Sequence, residues 1–212
     1  MRAILVLLAC TAVARADAPS GHSADDALKR LVAGNAAFVA GGGACPHQSA
    51  ARRSDVASAQ HPIAVVVGCA DSRVPPEVLF GQGIGDLFVV RVAGNVADDD
   101  AIGSVEYAVE HLGASLVVVL GHSRCGAVEA ALAPASPPGH LGALVARIKS
   151  AIAGTHSLDA AIRANVAAQV QKLQTAQPVL APRAKTGKVR VVGARYDLDS
   201  GAVQILPDAV DP

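Results

Sequence analysis

Three residues of this chain have the types and spacing of a metal-assisted reaction centre. Cys69 lies in the stretch GCADSRVPP, and His122 and Cys125 form an H-x-x-C arrangement in VVVLGHSRCGAV. Two thiolates and one imidazole are a zinc ligand set, and three protein ligands leave a tetrahedral ion one open position. An open position belongs to catalytic rather than structural zinc. Taken singly, each residue has an ordinary explanation. A cysteine after a buried strand is usually a small core residue, and a histidine at a strand end is usually a satisfied polar one. The combination needs a fold that brings the two segments together.

The surrounding sequence supplies such a fold. Ile63–Val67, Leu87–Val92, Leu116–Leu120 and Val189–Val192 are short β-branched runs that read as buried strands, and Gly201–Leu206 reads as a final edge strand. Helical spacing appears between them. SADD at Ser23 is a capping box in acidic form, followed by Leu28, Leu31, Val32 and Phe38 up to the Gly41–Gly43 break. Ala101–Leu112, Leu141–Ala153 and Leu158–Leu173 carry the same period. Strands alternating with helices predict an α/β fold, a mostly parallel sheet flanked by helices, with an N-terminal helical arm. Ligands of such sheets collect beyond the carboxyl ends of the strands. Cys69 is expected two residues past the first strand and His122 two past the third. If those strands are neighbours, the three ligands converge.

Bulk properties limit the alternatives. Of 212 residues, 51% are hydrophobic and 17% charged, so the chain can bury a core and is not disordered. Eighteen basic residues balance eighteen acidic ones, which gives no basic surface for nucleic acid. The first sixteen residues, MRAILVLLACTAVARA, join a basic Arg2, an apolar run and an A-x-A pattern at Ala14 and Ala16, the grammar of a cleaved signal peptide. The apolar run is too short to span a bilayer. The expected organisation is a signal peptide over 1–16, a lead-in over 17–22 and one zinc domain over 23–208, exported to the periplasm. Two alternatives are a lipidated Cys10 in LLAC and an uncleaved apolar N-terminus. Without the signal, three cysteines remain, which is not a disulfide framework. Cys69 and Cys125 as metal ligands account for two, and Cys45 in GGGACPHQ is an incidental loop thiol.

The run GCADSRVPPEVLFGQGIGDLFVVRVAGN, taken with GSVEYAVEHLGASLVVVLGHSRCGAV, resembles the β-class carbonic anhydrases. The resemblance extends from the helix near Ser23 to the last strand near Leu206. It implies reversible hydration of carbon dioxide to bicarbonate, one zinc ion per subunit on Cys69, His122 and Cys125, and a homodimer or homotetramer. It implies that Asp71 and Arg73 are the catalytic dyad and that Gln60 is a substrate-side glutamine. It places Phe88 and Tyr107 in the pocket wall, partly across a dimer interface. Some members carry a Trp three residues before the first zinc cysteine, where bicarbonate binds and closes the site. Here that position is Val66, so only Arg91 of the bicarbonate set is matched.

Asp71 has two options beside a zinc ion. It can accept a hydrogen bond from the zinc's water, or take the fourth position and close the site. The Arg73 guanidinium presents a fixed fork that pairs bidentately with a carboxylate. While the pair holds, zinc keeps its water and can present a hydroxide to carbon dioxide. Two other readings remain open at this level: a zinc hydrolase of carbon disulfide or carbonyl sulfide, and a non-catalytic zinc module with Asp71 on the metal.

Overall fold

The β-branched runs form the centre of the molecule. In the computed structural model, which describes residues 22–42 and 46–207, the strands are β1 (Ala64–Gly68), β2 (Leu87–Arg91), β3 (Leu116–His122) and β4 (Arg190–Tyr196), with a short β5 (Val203–Ile205). Among the described residues they make one sheet in the order β2-β1-β3-β4-β5. The first four strands run parallel and β5 is antiparallel to β4. Side chains alternate across the pleat, so each central strand feeds two cores. Val65, Val67, Val117 and Val119 pack with α4 (Asp99–His111) and α7 (Leu158–Thr175). Ala64, Val66, Leu116, Val118 and Leu120 pack with α1 (Ala24–Val39) and α3 (Pro76–Leu79). The capping box forms as expected: the Asp26 N–H donates to the Ser23 Oγ, which in turn donates to the Asp26 carboxylate.

Two strands run further than the sequence suggests. Gly121 reads as a strand end, yet β3 continues through His122, which pairs with Tyr196 of β4. Likewise β4 passes through Gly193. Both glycines lie under α7. A Cβ at Gly121 would stand 2.5 Å from Val166 Cγ2, and one at Gly193 would stand 2.9 Å from Val166 Cγ1. They let the helix approach the sheet rather than stop the strands. His122 is therefore the last residue of its strand and Cys69 the first after its own. Because β1 and β3 are parallel neighbours, these two ends abut.

Among the described residues, four short helices have no counterpart in the expected pattern: α2 (Ala50–Asp55), α3, α5 (Gly126–Leu132) and α8 (Leu180–Lys185). None exceeds seven residues, too few for an apolar period to show. The longer α6 (Gly139–Ala151) matches the expected Leu141–Ala153 segment closely. The segment 1–16, the rest of the lead-in to residue 21, Cys10, Cys45 and Asp208 lie outside the described residues. No helix among the described residues is long and apolar enough to cross a membrane.

Candidate metal centre

Just past β1 the chain makes a tight turn. The Val74 N–H donates to the Asp71 carbonyl at 3.0 Å, and the Arg73 N–H donates to Asp71 Oδ1 at 2.9 Å. A short acidic side chain can bond its own backbone two residues on, and here that leaves Asp71 and Arg73 side by side. Arg73 Nε donates to Oδ1 at 2.9 Å and Nη2 to Oδ2 at 2.7 Å, a bidentate fork. Arg91, the last residue of β2, holds the turn from the next strand. Its Nε donates to the Cys69 carbonyl at 2.9 Å and its Nη2 to the Asp71 carbonyl at 2.6 Å.

Cys69, His122 and Cys125 are all buried, and their ligand atoms lie within 4.8 Å of one another. His122 Nδ1 stands 2.9 Å from the Ser123 carbonyl. A carbonyl only accepts, so Nδ1 carries the proton and Nε2 presents a lone pair. That Nε2 is buried and has no hydrogen-bond partner among the described residues. An orphaned buried acceptor is costly unless something occupies it. With two sulfurs beside it, a thiophilic divalent cation fits, and the donor set is that of zinc. Asp71 Oδ2 overlooks the triad, 3.8 Å from His122 Nε2.

The sulfurs are not equivalent. The Cys125 thiol donates to Cys69, and with the Gly94 N–H this holds Cys69 well below the usual thiol range. Cys125 is pushed up by that same bond and by burial. The pair thus shares one proton, which a cation must displace on binding.

Hydrogen bonds from Arg73 hold the Asp71 carboxyl well below the usual carboxylate range. The folded value lies below the unfolded one, about 4. Stability from the pair is then fully present above about pH 4 and is lost as pH falls through the folded value. The difference in Tm between the protein and Arg73→Ala is expected to stay flat between about pH 8 and 5 and to shrink only below about pH 4. A difference that changes around neutral pH contradicts this.

The expected pocket residues stand apart from the triad within one chain. Gln60 is exposed and precedes β1, whereas Cys69 follows it, so the strand separates the two. Phe88 of β2 pairs in register with Val65. Its ring centroid is 6.2 Å from that of Tyr107 on α4, and Tyr107 is half-exposed and lies 5.1 Å from His111. Val66 is fully buried on the α1 side of the sheet.

One contact to the triad was not read from the sequence. Gly94, in the 3-10 turn Ala93–Asn95 after β2, donates its N–H to Cys69 Sγ at 3.2 Å. Its φ of +69° is in the left-handed region, and a Cβ there would stand 2.5 Å from Ile148 Cδ1. Gly94→Ala is expected to cost about 1–3 kcal/mol of stability in denaturant unfolding. An unchanged midpoint would contradict that.

The profile of the carbonic anhydrase family matches residues 64–203. A carbonic anhydrase of Mycolicibacterium smegmatis is 43% identical over 188 residues, covering 84% of this chain and 91% of that one. Among solved structures, a Coccomyxa β-carbonic anhydrase in complex with acetazolamide is similar with a TM-score of 0.66 and 31% identity, covering 72% of this chain and 75% of that one. Tetrameric β-carbonic anhydrases from Sordaria macrospora give a TM-score of 0.67 at 27% identity, covering 84% and 96%.

Proposed function

This chain belongs to the β-class carbonic anhydrase family and is a carbonate dehydratase, and we propose that it hydrates carbon dioxide reversibly to bicarbonate at one zinc ion held by Cys69, His122 and Cys125. The observation that carries the zinc reading is the buried His122 Nε2, unpartnered among the described residues, beside two cysteine sulfurs. Zinc in such a set would lower the pKa of its water, to about 7 in carbonic anhydrases that use three histidines, and so supply a nucleophile at neutral pH.

The chain's own residues do the rest. Asp71 Oδ2 lies close enough to the triad to accept a hydrogen bond from the reacting water and fix its orientation. Arg73 occupies both carboxylate oxygens and keeps them from the ion. Arg91 ties down the carbonyls on either side of Ala70, so the ligand and the carboxylate keep their relative positions.

Gln60, Phe88 and Tyr107 complete the substrate pocket across a homodimer or homotetramer in this reading. Exposed Gln60, half-exposed Tyr107 and the outer edge of β2, unpaired among the described residues, support it, as does the tetrameric state of the Sordaria proteins. Export to the periplasm, read from residues 1–16, is part of the same proposal.

Zinc-loaded protein assayed separately with carbon dioxide, carbonyl sulfide and carbon disulfide tests the substrate. The expected outcome is one zinc per chain and turnover of carbon dioxide far above the other two. Faster turnover of either sulfur compound would reassign the enzyme.

A further inference from the structure

Cys69 is braced by a relay of side chains that starts inside α7. The Gly94 N–H points at Cys69 Sγ, and the Gly94 carbonyl accepts from Asn165 Nδ2 at 2.8 Å. Asn165 Oδ1 accepts from Gln169 Nε2 at 3.2 Å. Gln169 Oε1 accepts from the Ala97 N–H at 3.0 Å, and Lys172 Nζ donates to the Ala97 carbonyl at 2.6 Å. Asn165, Gln169 and Lys172 form one stripe of the helix. The two amides are 0% and 5% exposed among Val166, Val170 and Leu173. Amides on an apolar helix face are costly unless each is bonded. Here their bonds run to the loop that touches the sulfur.

We propose that Asn165, oriented by Gln169, is a positioning residue of the metal centre: it fixes Gly94 so that its N–H stays on Cys69 Sγ and sets the charge that sulfur gives the ion. A hydrogen bond to a thiolate draws charge from it and fixes its direction. Losing such an outer partner typically costs about 10- to 100-fold in metal affinity or activity. The proposal rests on Cys69 being a metal ligand.

Cobalt(II) in place of zinc tests both points separately, because thiolate-to-cobalt charge transfer gives an absorption band. A band in the unmutated protein confirms sulfur ligation, and its absence would remove the metal reading itself. Asn165→Ala is expected to move the band to lower energy, since the unbonded sulfur lone pair rises. It is also expected to weaken zinc binding about 10-fold or more in competition with a chromophoric chelator. Leu173→Ala, further along the same face, should lower Tm while leaving the band in place. A folded Asn165→Ala protein with unchanged band and zinc affinity overturns the proposal. If Asn165→Ala does not fold, Gln169→Leu is read instead, with a smaller shift in the same direction. No shift there, or failure of both to fold, assigns the pair to stability alone and overturns it equally.

Discussion

Arg73→Ala is expected to keep one zinc per chain by atomic absorption and yet lose about 100-fold in turnover, the scale on which a displaced reacting group is felt. The reason is a competition for one carboxylate. Asp71 Oδ2 stands 3.8 Å from His122 Nε2, within a short swing of an ion between the ligands. The Arg73 fork at 2.9 and 2.7 Å holds it back. With the fork removed, the carboxylate takes the fourth position, so the metal should also resist chelation for longer. Asp71→Ala makes the complementary case. Its site stays open and zinc remains, but the acceptor that orients the reacting water is gone. A loss of about 10²- to 10⁴-fold, the usual worth of a positioned proton acceptor, is expected. Full activity in Arg73→Ala would show that the pair does not gate the site.

A second large effect follows from the two sulfurs. Stripped of metal, Cys69 and Cys125 face each other in a buried cluster, and Cys69 already carries most of the negative charge. A thiolate beside a thiol is readily oxidised. Treatment with chelator and then oxidised glutathione is expected to abolish activity. The two cysteine sulfurs join as the pair's one shared proton leaves, and the glutathione disulfide takes up the two electrons and is released as two molecules of glutathione. Titration should show two fewer protein thiols per chain, and reductant plus zinc should restore turnover. Zinc-loaded protein given the same oxidant should stay active, because its thiolates are occupied. Unchanged activity and thiol count after chelation and oxidation would contradict this.

The sheet and the ligand triad were legible because they depend on strong local signals. Runs such as AVVVG and LVVVL have few alternatives to a buried strand, and a ligand at each strand exit makes sense only if the strands are neighbours. Other features depend on spatial partners that a linear reading does not see. Gly121 looks like a terminator until Val166 is found above it. The short α5, which begins immediately after Cys125, has too few residues to show a period. Arg91 was matched to a bicarbonate set, and the sequence does not show that its Nε and Nη2 donate to the carbonyls of Cys69 and Asp71. The Asn165 relay did leave a trace, since two amides four residues apart interrupt an otherwise apolar stripe in NVAAQV. Their partner, Gly94, lies far away in the chain. Gln60, Phe88 and Tyr107 do not reach the triad within a single chain, so their proposed roles depend on assembly.

Stopped-flow hydration of carbon dioxide with a pH indicator, run on zinc-loaded protein between about pH 7 and 9, tests the account most directly. Turnover well above buffer is expected, rising with pH as the reacting water ionises and disappearing in His122→Ala together with the zinc. A rate no faster than buffer across that range, with one zinc bound per chain, would contradict it.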